Sequence, residues 1–232
     1  MGRQGFGGRL TDAQWSTFLR EGATRGYGDG QTIVRQGDRD TAVFLLVEGT
    51  VKVTALRPDG EHVLLALRGP GEALGEFSAL SGLPRTATVT ASGGGCLTRT
   101  LSSARFRHVA RRLGVEDALW QHAVLRQTES ESMRAEIMTL PSAQRLSAML
   151  LRLCALIGHE VDAAPDQDAG RRAVTLRLGL SQRELGYSVG LSRTSVAAEF
   201  ARLRALGVVR TGRRYVAVLD VERLRKLAEG AE

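Results

Sequence analysis

The stretch Ser181-Gln182-Arg183-Glu184-Leu185-Gly186-Tyr187-Ser188-Val189-Gly190-Leu191-Ser192-Arg193-Thr194-Ser195-Val196 has the grammar of two short helices joined by a tight turn. Ser181 followed three residues later by Glu184 forms a capping box for the first helix. Leu185 and Val189 space its core-facing stripe, and Gly190 stands where the turn needs a residue that tolerates positive φ. Ser192 caps the second helix, while Val196 and Leu203 pack back. Arg193, Thr194 and Ala198 are left on the outer face, with Glu199 more oblique. In that position a recognition helix meets base edges in a major groove. An ordinary αα-hairpin is the competing reading. The two caps, the turn glycine, the outward arginine and the chain that follows favour DNA. Val208-Val209-Arg210 and Tyr215-Val216-Ala217-Val218 flank Thr211-Gly212-Arg213-Arg214 as a hairpin wing, on which Arg210, Arg213 and Arg214 serve as phosphate contacts.

Upstream of this motif, Leu146, Met149, Leu150, Leu153, Cys154 and Ile157 recur at i, i+3, i+4 and i+7, the period of a core-facing helix. Residues 160–172, with Pro165, Gly170 and three Asp, read as a loop. Val115 to Leu140 contains neither Pro nor Gly, so an uninterrupted helix of about 25 residues, roughly 38 Å, is expected. Its apolar positions, Leu119, Ala123, Met133, Ile137 and Leu140, follow heptad spacing loosely, with Gln127 and Ser130 in the gap. A two-stranded seam between two copies with a polar middle accounts for such a helix better than burial in one small domain.

From about Gly28 to Leu101 the texture changes to short apolar runs cut by turn residues: Thr32–Val34, Ala42–Val47, Val51–Val53, His62–Leu67 and Ala87–Val89. Gln36-Gly37-Asp38, Glu48-Gly49-Thr50, Pro58-Asp59-Gly60 and Gly69-Pro70-Gly71 separate them. Short strands at this spacing indicate an antiparallel sandwich or barrel. Pro58 presets φ and Gly60 accepts φ > 0, the chemistry of a hairpin turn. Thr11 with Gln14 caps a short helix over residues 11–20 that leads into this region.

The chain of 232 residues carries a net charge of +7 and is 43% hydrophobic, enough to bury a real core and to exclude intrinsic disorder. Only Lys52 and Lys226 are lysines, and a guanidinium fork suits phosphate oxygens. Residues 140–232 hold 15 Lys+Arg against 10 Asp+Glu, so five of the seven units lie on the helix-turn-helix half. No apolar run reaches the roughly 18 to 20 residues that cross a bilayer, and the N-terminus lacks a signal-peptide pattern. Cys96 and Cys154 are too few and too distant for a thiolate cluster. The expectation is a soluble, reduced, cytoplasmic protein with no membrane partner. No Ser/His/Asp grouping, metal-spaced cluster or Walker loop marks an enzyme.

The last informative stretch is Gly71-Glu72-Ala73-Leu74-Gly75-Glu76-Phe77-Ser78, continuing to Leu83-Pro84-Arg85-Thr86-Ala87. A glycine-bearing turn offers backbone N–H groups to an anion, Arg85 with Thr86 can close on a phosphate, and Glu76 can accept from a ribose hydroxyl. A plain salt bridge between Glu76 and Arg85 over a loop is the alternative for the isolated pattern.

Gly75-Glu76 followed by Arg85-Thr86-Ala87, after a β-roll-like series and before a long helix and a winged helix-turn-helix, closely resembles the cyclic-AMP receptor protein (CRP/FNR) family of bacterial transcription regulators. The resemblance runs from about residue 25 to 225. It implies an α+β chain with an N-terminal antiparallel β-roll of the cyclic-nucleotide-binding type over residues 1–112, a dimerisation helix and hinge over 113–140, and a C-terminal winged helix-turn-helix over 141–232. It further implies a homodimer on a palindromic double-stranded operator, allosteric control by a cyclic nucleotide, cyclic AMP foremost, no covalent cofactor, and RNA polymerase as a further partner. A constitutive regulator, or one answering a different ligand such as a cyclic dinucleotide, is the alternative. Carried over, Arg85 pairs with the cyclic phosphate, Gly75 and Thr86 bond it, Glu76 accepts from the 2′-hydroxyl, and Ser130 faces the base. The next base-contacting hydroxyl position holds Glu131, a departure. Arg193 matches the guanine reader, and Ser192 and Ser195 the phosphate-contacting hydroxyls. Thr194 and Ala198 replace the usual Glu and second Arg, leaving Ala198 at most a thymine methyl. Ser181 and Arg183 complete the DNA-facing set. The four cysteines of the iron–sulfur branch are absent. The four scattered histidines, His62, His108, His122 and His159, read as surface or core residues.

Overall fold

The computed structural model describes residues 2–56, 60, 62–161, 173–176, 180–212 and 215–231, and divides into two compact units, Met1–Ser130 and Glu131–Glu232.

In the first unit the Thr11 hydroxyl accepts from Gln14 N while the Gln14 side chain accepts from Thr11 N, the expected capping box, and α1 follows over Asp12–Glu21. Then come β1 (Ala23–Tyr27), β2 (Thr32–Val34), β3 (Val43–Leu56), β4 (His62–Arg68), β5 (Ala73–Leu74), the short helix α2 (Glu76–Ser81) and β6 (Thr88–Leu101). All described pairings are antiparallel, in the order β1-β6-β3-β4, with β2 on β6 and β5 on β3. The runs on either side of Glu48-Gly49-Thr50 form one strand rather than two. Pairing with β6 shifts register between Leu46 and Glu48 and again between Gly49 and Thr50, so β3 bends where it was expected to end. Gly49 makes this bend at φ +82, and a Cβ there would stand 2.2 Å from the Gly95 carbonyl oxygen. Of the hairpin turn, Pro58 and Asp59 lie outside the described residues, but β3 and β4 pair on either side of it from Val51↔Arg68 to Leu56↔His62.

Phe6, just before a 3₁₀ turn at Gly7–Arg9, is fully buried. Its ring meets Phe18 and Phe106 edge-on at centroid distances of 5.4 and 5.8 Å, in a core shared with Val43, Leu45, Leu101, Val109 and Leu119. A second cluster, Tyr27, Val34, Phe44, Leu46, Val51, Leu74 and Val89, fills the inside of the roll. Ser102 then caps α3 (Ser103–Leu113), Gly114 ends it, and α4 runs over Glu116–Thr139 as the uninterrupted helix expected.

The faces of α4 differ from the single loose stripe read from sequence. Leu119 and His122 are buried and Arg126 and Glu129 half-buried, so this face packs on the helix's own β-roll. Ile137, assigned to the same stripe as Leu119, is exposed. The strongly exposed apolar side chains are instead Trp120, Val124 and Met138, at 72%, 61% and 84%. The inward face mixes apolar with charged residues, which dilutes the periodicity that marks it.

The second unit contains α5 (Ser142–Ile157), β7 (His159–Val161), β8 (Ala173–Leu176), α6 (Gln182–Ser188), α7 (Arg193–Ala205), β9 (Val209–Gly212), β10 (Tyr215–Val218) and α8 (Val221–Glu229). Leu146, Met149, Leu150 and Leu153 are buried as the period predicted, and α8 packs on α5 with Leu224 and Leu227 inward. Glu160 and Val161, read as the start of a loop, belong to β7; residues 162–172 lie outside the described residues. The sheet order β7-β8-β10-β9 is antiparallel throughout. Strand β7 owes its form to backbone pairing with β8 rather than to an apolar pattern of its own. Burial pushes both the Cys96 and the Cys154 thiols up to about 11, so neither forms a thiolate readily at neutral pH. Among the described residues no helix is long and apolar enough to cross a membrane.

Candidate effector site and nucleic-acid interface

Between β5 and α2 the backbone turns at Gly75, which takes φ +78, and Glu76 opens the helix with its side chain buried. Arg85 returns to this turn from the other side. Its Nη1 donates to Gly75 O at 2.6 Å, its Nη2 to Ala42 O at 2.6 Å, and Asp40 Oδ2 stands 3.5 Å away. The backbone of Arg85 is fixed as well, its N–H donating to Asp38 O and its carbonyl accepting from Gly37 N. A Cβ on Gly75 would lie 2.2 Å from Arg85 Nη1, so the close approach itself demands glycine. The neighbouring Thr86 is exposed. Gly75 and Arg85 thus meet at one turn from which Glu76 opens α2, and Thr86 follows Arg85 in the chain.

Glu76 and Arg85 are not partners of each other. Glu76 Oε1 lies 3.2 Å from His122 Nε2, a buried contact with α4, and the His122 ring also faces Phe6 edge-on at 6.3 Å. A carboxylate only accepts, so Nε2–H donates. Two further rungs follow. Arg126 pairs with the buried Glu72, and Arg68 grips Glu129 through both nitrogens at 2.9 and 2.8 Å, with Arg126 Nη1 donating to Glu129 Oε2 at 3.2 Å. Residues 76, 72 and 68 step backward by four while 122, 126 and 129 step up the helix, so α4 is laced to the roll by three polar ties. Burial alone would lower the Arg126 pKa, but the carboxylates of Glu72, Glu76 and Glu129 outweigh it and raise it. Burial works likewise to raise that of Glu129, and Arg68 and Arg126 overcome it and hold the carboxyl below its ordinary value.

Sequence reasoning passed over His122, Arg126, Arg68, Glu72 and Glu129. The available signal was the recurrence of charged or imidazole side chains at 122, 126 and 129, three to four apart beside the buried Leu119. Ser130 is exposed and, among the described residues, makes no hydrogen bond to the Gly75–Arg85 group. The turn can offer a ligand the N–H groups of Arg85 not used on carbonyls, a hydroxyl at Thr86 and an acceptor at Glu76, a set that fits a phosphate joined to a sugar hydroxyl.

In the second unit, Ser181 and Glu184 form the predicted capping box, with Ser181 Oγ accepting from Glu184 N at 3.1 Å and Glu184 Oε2 accepting from Ser181 N at 2.8 Å. Gly190 takes φ +68 in the turn, which is fastened by Arg145 Nη1 donating to Val189 O at 2.8 Å. Ser192 Oγ accepts from Ser195 N at 3.1 Å and lies 2.9 Å from Thr194 Oγ1 and 2.8 Å from Ser195 Oγ, a knot of three hydroxyls at the start of α7. Val196, Phe200 and Leu203 are buried, Ser195 and Glu199 are half-buried, and Arg193, Thr194 and Ala198 are exposed. Arg183 is exposed on α6, its Nε donating to Tyr187 OH at 3.1 Å with the guanidinium 5.1 Å from the ring centroid. Strands β9 and β10 make the wing, with Arg210 exposed on β9; Arg213 and Arg214 lie outside the described residues. Arg204, which the motif did not single out, donates from Nη1 to Thr211 Oγ1 at 3.2 Å and ties α7 to the wing.

Known proteins share both halves of this arrangement. The model for the cyclic nucleotide-binding domain matches residues 24–112, and that for the Crp-like helix-turn-helix domain matches residues 144–227. A cyclic AMP receptor protein of Thermus thermophilus is 31% identical over 216 residues, 88% of this chain and 87% of that protein. A CRP-like cAMP-activated global transcriptional regulator of Mycobacterium tuberculosis is 26% identical over 199 residues, 86% of this chain and 85% of its own length. The crystal structure of a transcriptional regulator of the CRP/FNR family from Thermus thermophilus superposes with a TM-score of 0.72 at 23% identity, covering 89% of this chain and 98% of that one.

Proposed function

Because the chain belongs to the cyclic-AMP receptor protein (CRP/FNR) family of transcription regulators, we propose that it is a homodimeric, sequence-specific regulator whose β-roll takes cyclic AMP as effector. The observation that carries the effector reading is the meeting of Arg85, Gly75 and Glu76 at one buried turn. Arg85 pairs with the cyclic phosphate, Gly75 and Thr86 bond its oxygens, Glu76 accepts from the ribose 2′-hydroxyl, and Ser130 faces the base. Glu76 is held by His122, so a ligand hydroxyl competing for that carboxylate acts directly on α4. The effector thereby shifts α4 and, through the hinge near Thr139-Leu140-Pro141, aims the two recognition helices at major grooves about 34 Å apart on a palindromic operator. Arg193 reads a guanine, while Ser181, Arg183, Ser192, Ser195 and the wing arginines Arg210, Arg213 and Arg214 hold phosphates. RNA polymerase is the further partner of this reading.

A specific observation favours a second reading. Two nitrogens of Arg85 donate to protein carbonyls, and Glu76 is paired with His122, so each of these groups has a partner within the chain. That suits a constitutive regulator, or one opened by a larger ligand such as a cyclic dinucleotide. The test is a titration of operator binding against cyclic AMP for the parent and for Arg85→Ala. Tightening in the parent that is lost in the variant supports cyclic AMP. Equal affinity with and without ligand in both proteins assigns the chain to the second reading.

A further inference from the structure

We infer that the recognition helix selects thymine through its 5-methyl group, with Arg193 as the hydrogen-bonding base reader of each half-site. This rests on the DNA-binding reading above and names the base chemistry that surface fits. On α7 the exposed face is formed by Arg193, Thr194, Ala197, Ala198 and Ala201. The polar side chains around it are committed elsewhere. Glu199 accepts from Arg202 Nε at 3.0 Å, and Arg204 donates to Thr211 on the wing. The Thr194 hydroxyl lies 2.9 Å from Ser192 Oγ and is turned toward the cap, which leaves its methyl as the apolar group it can offer a base. Among the described residues of α7, Arg193 is the exposed polar side chain with no protein partner.

Such a face presents one fork of donors beside a field of four methyl-sized groups. In the major groove, the apolar feature of an ordinary base pair is the thymine methyl; the other edges are donors and acceptors that alanine cannot satisfy. The short side chains also let the helix sit deep enough for those methyls to be buried. The half-site is therefore a guanine flanked by thymines, and cytosine at a thymine position is disfavoured for want of a methyl. The same surface responds to 5-methylcytosine as a partial substitute, because the methyl stands in the same place.

The experiment uses the full chain, with its effector if one is required, and the palindrome it selects from a randomised duplex pool. Uracil is then placed for thymine at each position beside the conserved guanine of the half-site. Burial of one methyl predicts a loss of about fourfold per replacement, with no loss for uracil outside the operator. Cytosine at those positions weakens binding, and 5-methylcytosine recovers part of the loss. Ala198→Ser flattens the thymine–uracil difference at one position while leaving the guanine preference intact. If the parent binds uracil operators as tightly as thymine operators, or treats 5-methylcytosine and cytosine alike, the inference is overturned and the DNA-binding reading stands. If no sequence is selected from the pool, both fall together.

Discussion

Replacing Arg126 by Met removes the cation at the centre of the lacing between α4 and the roll while keeping most of the side-chain length. Glu72, its partner, is 3% exposed, and Arg126 also faces Glu76 and Glu129. The variant therefore strands a buried carboxylate, and breaking such a pair from one side costs about 3–5 kcal/mol. Glu129 remains gripped by Arg68, but its side chain is 38% exposed, so water reaches that end of the array and moderates the penalty. The lower end, about 3 kcal/mol, is expected. Glu72→Gln leaves Arg126 with Glu76 and Glu129 and costs about 1 kcal/mol, the scale of one weakened hydrogen bond. The double variant has no stranded charge, so a coupling of about 2 kcal/mol should emerge from the cycle. Urea unfolding followed by tryptophan fluorescence is the assay. Trp15 and Trp120 both lie in Met1–Ser130, so the signal follows this unit without contribution from the DNA-binding one. An Arg126→Met protein within 1 kcal/mol of the parent, or single costs that simply add, would falsify the assignment of this pair as what docks α4 on the roll.

Two further outcomes are expected. Gly75→Ala forces a Cβ into a backbone at φ +78 and against Arg85 Nη1, so it should cost about 1–3 kcal/mol and weaken cyclic-nucleotide binding in calorimetry. A stable variant with parental ligand affinity would contradict the close approach. Glu129 has a folded pKa below the value of 4.5 that it takes when unfolded, so its ion pairs stabilise the protein above that pH and are lost as pH falls through the folded value. As pH falls below 4.5, stability should thus fall more steeply for the parent than for Glu129→Gln, and parallel curves in an acid-denaturation series would refute it.

What could be read from the chain was what is local. Ser181 with Glu184, Ser192 with Ser195 and Thr11 with Gln14 are caps written within four residues, and each forms as spelled. Gly190 and Gly75 mark backbone conformations that other residues resist. Gly75 and Arg85, ten residues apart, were assigned to one site by a local pattern. Contacts that depend on the closed fold were hidden. Nothing in Arg68, Glu72 or Glu76 says that they meet α4, because those pairs bridge 46 to 61 residues of chain. Phe6 was silent for the same reason: one aromatic among glycines becomes core only when Phe18 and Phe106 arrive beside it. Strand β7 was missed because its form comes from its neighbour β8, not from its own residues.

The outward side of α4 has a consequence for dosage. Trp120, Val124, Gln127, Glu131, Arg134 and Met138 succeed one another at alternating steps of four and three, all exposed, with apolar residues only toward the ends. In the proposed dimer, a seam with a polar middle holds two copies less tightly than an unbroken apolar one. Where the dimerisation constant lies near the protein's working concentration, assembly is governed by mass action. Because two half-sites are gripped only by a pair, operator occupancy at low abundance rises with the square of the free chain. A modest change in synthesis rate is thereby turned into a sharper change in the genes controlled.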